Sequence, residues 1–313
     1  MSSNIKTNRL KSPTWSWLKM NDAEVAVPDE IALQLTHDMR TRNGENNEII
    51  SASCVVRLDS DKKNSLFNNE IRAESGSDIQ VVMVSSAKKS AMDFQAVHTK
   101  INAERDSKVH VIKINLLGKK TMQLDKTSFS VSENATVEVT HIILGGGKSF
   151  VEVSGDLEEY KASFKSDMGY ILGKDQQLDI NYIVNHIGKK TDCKMHVRGT
   201  LKDNAQKTYR GTIDFKNGCA GSTGDEQEET LLLSENAVNN SIPIILCDEE
   251  DVAGEHGSSI GRLGDDILFY MQSRGIPKTA SEDILARAKV QRLIPLIDDE
   301  QVTSEVNAFL DEM

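Results

Sequence analysis

The sequence predicts a mainly β protein that turns helical near its C-terminus. Three observations predict it. From about Glu48 to Leu246, short apolar-alternating runs recur between polar or glycine-bearing breaks. Of the five prolines only Pro243 falls between Glu48 and Asp251, and long helical patterns are nearly missing from that stretch. Beyond Gly261 the apolar spacing becomes helical. Many short strands with turn signals suit a sandwich, a barrel or a stacked solenoid. No exact internal repeat occurs, so periodicity does not choose among them.

The first segment, 1–47, holds both tryptophans, Trp15 and Trp17, in Thr14-Trp15-Ser16-Trp17-Leu18-Lys19. Two such rings bury much apolar area, so the segment is expected to dock. Packing on the chain's own body is the plain expectation, and a partner surface the alternative. Ile31, Leu33, Leu35 and Met39 have helical spacing and predict a short helix over 30–39, before a polar linker.

The β region, 48–260, contains runs such as Ile79 to Val84, Val109 to Leu117, Leu178 to Val184 and Tyr209 to Phe215. Val137-Glu138-Val139-Thr140-His141-Ile142 alternates with period two, as a strand with one buried face should. Gly145-Gly146-Gly147 reads as a turn.

Gly254-Glu255-His256-Gly257-Ser258-Ser259-Ile260-Gly261-Arg262-Leu263-Gly264 joins this body to the helical part, 261–313. Four glycines in eleven positions permit tight turns and close backbone approach. Asp265-Asp266 reads as a helix start, its carboxylates complementing the helix dipole. Gly275 reads as the stop. Thr279-Ala280-Ser281-Glu282 predicts a capping box for a second helix, reaching about Ile294 and ended by Pro295, with Ile284, Leu285, Ala288 and Leu293 as its apolar stripe. Val302, Val306, Phe309 and Leu310 predict a final amphipathic helix.

Net charge of −11 argues against general nucleic-acid binding, which needs clustered cations. No long apolar run and no charged-then-apolar leader is visible, so the expectation is a cytoplasmic protein without membrane insertion. The cysteines at 54, 193, 219 and 247 show no Cys-x-x-Cys spacing. No Walker lysine motif, nucleophile elbow or His-Glu-x-x-His helix occurs, so no nucleotide is expected on this chain.

The residues that could carry chemistry gather near the junction. Cys247 follows Ile244-Ile245-Leu246 and precedes Asp248-Glu249-Glu250-Asp251, which places a thiol at a strand end beside an acidic turn. Such carboxylates raise a free thiol's pKa, and a bound cation reverses that balance. An inert buried cysteine is the alternative. His256 stands beside Glu255 and Gly257. On an extended strand Glu255 and His256 point to opposite faces, so they are not expected to share one metal. Cys219 lies in Asn217-Gly218-Cys219-Ala220-Gly221, a turn that reads as accessible.

The helix Phe269-Tyr270-Met271-Gln272-Ser273-Arg274-Gly275-Ile276, behind a histidine-bearing small-residue turn, resembles the signature of the SufB/SufD family of iron–sulfur cluster assembly proteins. Tyr209-Arg210-Gly211-Thr212-Ile213-Asp214-Phe215 and Leu231-Leu232-Leu233-Ser234 resemble it too, and the N-terminal Trp motif is similar to that of clostridial-type members. The resemblance covers the last third of the chain well and the middle by character. It implies a right-handed parallel β-helix core, since each coil cannot bury its face alone. It also implies a scaffold that is not itself an enzyme and works with the ABC-type ATPase SufC and a sulfur donor protein. A transient iron–sulfur cluster would form at the interface of a homodimer or of a heterodimer with a SufB/SufD paralogue, the homodimer of a minimal type being preferred. Phe269, Tyr270, Arg274 and Ile276 would lie in the SufC-docking helical region.

Under the same resemblance Cys247 matches the cysteine of minimal SufB proteins, His256 the histidine of the SufD-type Ser-His-Gly motif, and Glu255 the first glutamate of the SufB-type Glu-His-Glu motif. These three are the ligand candidates. The departures are equally specific. Gly257 replaces SufB's second glutamate, Gly254 the SufD cysteine, and the SufB core cysteine falls near Glu228. Cys247 as a substitute thiol, a different ligand set that includes Glu228, and a partner without cluster chemistry all stay open, with Cys219 a further candidate as sulfur acceptor. A scaffold that must release its cluster suits incomplete thiolate ligation.

A second function from another class is a β-helix carbohydrate-active enzyme, a polysaccharide lyase or hydrolase with paired carboxylates in a cleft. The aromatic content of 5% weighs against it, because sugar clefts favour aromatic platforms.

Overall fold

The computed structural model describes residues 2–13, 16–33, 37–40, 51–60, 62–86 and 93–313. Two short pairs of strands come first. β1 (Ser2–Thr7) and β2 (Ala23–Pro28) pair antiparallel, while β3 (Ala32–Leu33) and β4 (His37–Arg40) join the edge of a parallel sheet. Fifteen further strands follow in strict alternation between two parallel sheets. They are β5 (Ser51–Arg57), β6 (Asn64–Ala73), β7 (Asp78–Ser86), β8 (Phe94–Ala103), β9 (Lys108–Leu116), β10 (Met122–Val131), β11 (Thr136–Ile143), β12 (Lys148–Leu157), β13 (Ser163–Leu172), β14 (Gln177–His186), β15 (Asp192–Leu201), β16 (Gln206–Phe215), β17 (Ser222–Leu232), β18 (Val238–Cys247) and β19 (Val252–Arg262). Even-numbered strands stack in one sheet from β6 to β18 and odd-numbered strands in the other from β5 to β19. The result is a β-solenoid of about seven turns, so the solenoid expectation holds.

Period-two alternation sends every second residue inward, and stacking in register makes each inward position a column. One column runs Ile71, Ile101, Phe129, Gly155, Val184, Ile213, Ile245. Gly155 is required there, because a Cβ would lie 2.4 Å from the Phe129 ring, which stacks on Phe164 at 4.3 Å. Gly199 makes the same room for the Tyr170 ring. Corner turns stack as well. Asp106, Asn134 and Lys161 all take positive φ, and their N–H groups donate to Glu133, Tyr160 and Lys189 carbonyls of the next coil at 2.9–3.0 Å.

The N-terminal hairpin lies on the outer face of the even-numbered sheet. Val25 packs with Phe94, Ala96, Leu124 and Phe150. Arg210 Nε donates to Met20 O at 2.7 Å and its Nη1 to Asp179 at 2.5 Å, and Asn8 also reaches Asp179. These bonds and Val25 anchor the flap. Trp17, in the 3-10 turn Ser16–Leu18, is 78% exposed, which corrects the expectation that it packs on the chain's own body. Trp15 lies outside the described residues. The helix expected over 30–39 is corrected too: β3 and β4 there take their hydrogen bonds from β6, and sheet pairing overrides the weak helical spacing. Residues 34–36 lie outside the described residues.

Three helices close the chain: α1 (Asp265–Ser273), α2 (Lys278–Gln291) and α3 (Glu300–Asp311). α1 starts at Asp265-Asp266 and stops before Gly275, φ +82°, as expected. α2 starts two residues earlier than the capping box implied. Pro277 is its N-cap, and Ser281 is buried, donating back to Pro277 O at 3.1 Å. The α-helix ends at Gln291, followed by a 3-10 turn at Ile294–Leu296. Its buried residues are Ser281, Ala286 and Val290, with Leu293 buried just beyond its end, while Ile284 and Ala288 are exposed. Gly169 explains the rotation: a Cβ there would meet Leu293 at 2.8 Å and the Val290 Cα at 3.4 Å, so the helix seats on that bare point. Val302, Val306 and Leu310 of α3 are buried as expected, against Val84, Ile114 and Leu116 on the outer face of the odd-numbered sheet. Ion pairs fasten both helices: Lys289 to Glu229 at 2.8 Å, Arg292 to Asp167, and Arg57 to Glu305 at 2.5 Å, while Arg198 meets Glu229 at 2.9 Å within the sheet. Lys289 and Arg198 together hold the Glu229 carboxyl down at about 2.

Among the described residues no helix is long and apolar enough to cross a membrane.

Candidate functional site at the open end of the solenoid

The last coil is one of the two ends of the stack. β18 and β19 pair on one side only, as β5 does at the opposite end, so their outer backbone groups have no strand partner among the described residues. The register shows which side chains look down the solenoid axis. On β18, Asn239, Ser241, Pro243, Ile245 and Cys247 stand over Lys207, Tyr209, Gly211, Ile213 and Phe215. On β19, Gly254, His256 and Ser258 stand over Gly224, Glu226 and Glu228. Ser258 Oγ donates to Glu228 at 3.2 Å, and Ser241 donates to the same carboxylate, which fixes both strands' inward faces.

Cys247 and His256 therefore both stand on inward columns at the mouth, one on each sheet, and both are exposed because no coil covers them. Glu255 stands over Asp225 on the outward face, as the alternation requires. A Cβ on Gly254 would touch Phe215 at 3.0 Å and Ile245 at 3.2 Å, so position 254 faces position 245. Cys247 and His256 lie on opposite sides of that contact, about four residues or roughly 13 Å apart along the strands. No group of three or more His, Cys, Asp or Glu converges among the described residues. One chain thus offers a thiol and an imidazole as separate parts of a ligand set. A thiolate suits iron and sulfide, and an imidazole is a weaker, exchangeable ligand.

The acidic turn after Cys247 is ordered. Glu249 accepts from Gly218 N at 2.9 Å and from Glu250 N at 3.0 Å, which holds its carboxyl below the usual range. Cys247 Sγ lies 3.1 Å from Glu249 O. Cys219 is fully buried in the core, and burial pushes its thiol up, which corrects the accessible-turn expectation. The turn bond from Ser222 N to Cys219 O folds the residue under the corner.

Glu228, where the SufB thiol would fall, is buried and fully engaged. It pairs with buried Lys207 and accepts from Ser241, Ser258, Thr230 and Asn239. Burial acts to raise its pKa, but Lys207 overrides this and holds the carboxyl ionised. Sequence reasoning missed its neighbour. Glu226 is 2% exposed and lies one coil beneath His256. Burial pushes its carboxyl up to about 8, partly offset by the adjacent Tyr209 hydroxyl. The available signal was the alternation from Gly224 to Thr230, which sends 226 and 228 inward together.

On the far side of the junction, α1 buries none of its residues: Ile267, Phe269 and Tyr270 are 50%, 75% and 59% exposed. Arg274 stacks its guanidinium 5.4 Å from the Tyr270 ring, and Ile276 is half-buried.

Residues 56–289 match the family model described as SUF system FeS cluster assembly, SufBD core domain. The chain belongs to the SufB/SufD family. Among curated proteins it is 32% identical over 117 residues to the iron–sulfur cluster assembly protein SufD of Bacillus subtilis, covering 37% of this chain and 26% of that one. It is 24% identical over 208 residues to a SufBD family protein of Mycobacterium bovis, covering 61% and 50%, and 22% identical over 121 residues to the SufB of Bacillus subtilis, covering 39% and 26%. The chain spans half or less of the length of these relatives. Family membership favours cluster assembly over the carbohydrate-active reading.

Proposed function

We propose that this chain is a cytoplasmic scaffold subunit of a SUF-type iron–sulfur cluster assembly complex. It binds a SufC-type ABC ATPase through the exposed face of α1, with Phe269, Tyr270, Arg274 and Ile276, and leaves nucleotide hydrolysis to that partner. The uncovered apolar side chains of α1 support this reading. Two copies, or one copy and a SufB/SufD paralogue, meet at the unpaired β18 and β19 edges. A sulfur donor protein supplies sulfide equivalents, and the cluster is cargo rather than a resident cofactor.

The single observation that carries the proposal is the open end of the solenoid. Unpaired strand edges, an exposed thiol and an exposed imidazole all occur on the same coil, and among the described residues one chain gathers no full ligand set. Apposing a second mouth would add a second thiol and imidazole. Glu255, on the outward face, is then a ligand only to something outside the mouth.

Anaerobic iron and sulfide reconstitution with the co-purified ATPase tests this, read by visible absorbance and iron content. The wild-type complex is expected to take up a cluster, Cys247→Ser to lose it and His256→Ala to lose most of it. Unchanged uptake in both variants would remove these residues from the site. No uptake and no ATPase in the wild-type preparation would overturn the function.

A further inference from the structure

Two carboxyls enter the interior one coil below the mouth, and their surroundings are opposite. Every oxygen of Glu228 is engaged by Lys207, two serines, Thr230 and Asn239. Glu226 Oε2 is buried and makes no well-formed hydrogen bond; the Tyr209 hydroxyl stands beside it, also without one, and only partly offsets the cost of its burial. A buried carboxyl oxygen without a partner costs free energy that the fold does not recover internally.

The space around Glu226 is built. A Cβ at position 211 would lie 2.2 Å from Glu226 Oε1 and 2.6 Å from the Tyr209 hydroxyl. The missing side chain of Gly211 is the volume the carboxyl fills. Gly155 and Gly199 do this elsewhere for aromatic rings, which need no polar partner; at Gly211 the guest is a carboxyl. Over Gly211 stands Pro243, which has neither an N–H nor a polar side chain to offer. Over Glu226 stands His256, on the same inward face of the next strand, about 4.8 Å away in the stacking direction. A carboxylate and an imidazole on one face suit a divalent transition ion.

We propose that Glu226 and His256 form a half-site for a divalent transition-metal ion at the mouth, Glu226 being the inner ligand, with iron as cargo and the remaining positions filled by water or a second copy. Glu228 is excluded from the ligand set by its own bonds. The inference rests on the reading of the mouth as the assembly site, yet it is testable without building a cluster.

Equilibrium dialysis of the purified full chain against Co²⁺ under anaerobic conditions is the test, with Glu226→Gln, His256→Ala, the double variant and Glu255→Gln. Glu226→Gln and His256→Ala are each expected to weaken Co²⁺ binding by about tenfold or more, the scale that even a residue supporting a metal ligand commands. The double variant should lose saturable Co²⁺ binding altogether, because no ligand of the half-site remains. Glu255→Gln should bind as the wild type does. Thermal unfolding with and without Co²⁺ serves as the second readout, since the ligand-induced rise in Tm should vanish in Glu226→Gln while the metal-free protein stays folded. Wild-type affinity in Glu226→Gln, Co²⁺ binding that survives in the double variant, or no Co²⁺ binding by the wild type would each overturn the half-site. Cluster uptake by the wild-type complex together with any of these results would leave the assembly function standing and remove only the half-site.

Discussion

The middle of the solenoid and its last coil use the same device at different depths. In the middle, Lys113 pairs with Asp125 at 2.5 Å and bonds Thr127 at 2.7 Å, and Tyr182 bonds His141 at 3.0 Å. At the end, Lys207 pairs with Glu228 beneath Ser241 and Ser258. Coils on both sides seal the first pair, while a single open coil covers the second. The difference teaches where chemistry is possible: the same buried charges that only hold the middle together lie, at the end, one layer from an exposed thiol and imidazole.

The largest effect expected from breaking this comparison is at the two lysines. Removing one partner of a buried ion pair costs about 3–5 kcal/mol. Lys113→Ala should reach the upper part of that range, and Lys207→Ala the lower part, because Glu228 can regain water through the mouth. Chemical denaturation measures both, and an equal or reversed order would show that the last coil is as closed as the middle.

Next come the glycines that admit guests. Gly155→Ala drives a methyl into the Phe129 ring and Gly211→Ala drives one into the Glu226 carboxyl, each expected to cost about 1–3 kcal/mol by overpacking. Glu226→Ala should rescue Gly211→Ala and leave Gly155→Ala unrelieved, which a double-mutant cycle reads directly.

The two regions should also answer pH with opposite sign. Burial lowers His141 to about 4 from an ordinary 6.5, so the unfolded chain takes up protons first as pH falls. Stability is lost between pH 6.5 and 4, and His141→Gln should flatten that limb. Glu226 runs the other way, from an ordinary 4.5 up to about 8, so the folded chain keeps a proton that the unfolded chain releases. Stability is lost as pH rises from 4.5 to 8, and Glu226→Gln, measured in chelator, should flatten that limb. Tm profiles of the wild type and both variants decide it.

The smallest effect is at Cys247. An exposed strand-end thiol contributes little to the fold, so Cys247→Ser should change stability by no more than about 0.5 kcal/mol. A larger loss would make the thiol structural.

Much of this architecture was legible. Alternation such as Val137-Glu138-Val139 marked the strands, and the loss of it after Gly261 marked the helices. The solenoid itself was not legible from periodicity. Its columns join residues about thirty positions apart and ask only for compatible size, so Ile, Phe, Gly and Val share one column and leave no repeat. Local context singled out Cys247 and His256 as candidates, and both stand exposed on the last coil. Cys219 was misread because a Gly-flanked turn looks open in sequence while its backbone bonds fold the thiol inward. Trp17 was misread because Val25 and the bonds of Arg210 and Asn8 anchor the flap while the Trp17 ring stays outside. Glu226 was hidden in Asp225-Glu226-Gln227-Glu228-Glu229, a run that reads as a solvated face until register sends alternate members inward.

Alkylation of the four cysteines in the ATPase complex, resolved by peptide mass before and after cluster loading, tests the central claim most directly. Cys247 is expected to react fast in the unloaded complex, to be protected on loading and to react again on chelation, while buried Cys193 and Cys219 stay slow throughout. Cys247 reacting equally in loaded and unloaded complexes, or protection appearing at another cysteine instead, would contradict assembly at the open mouth.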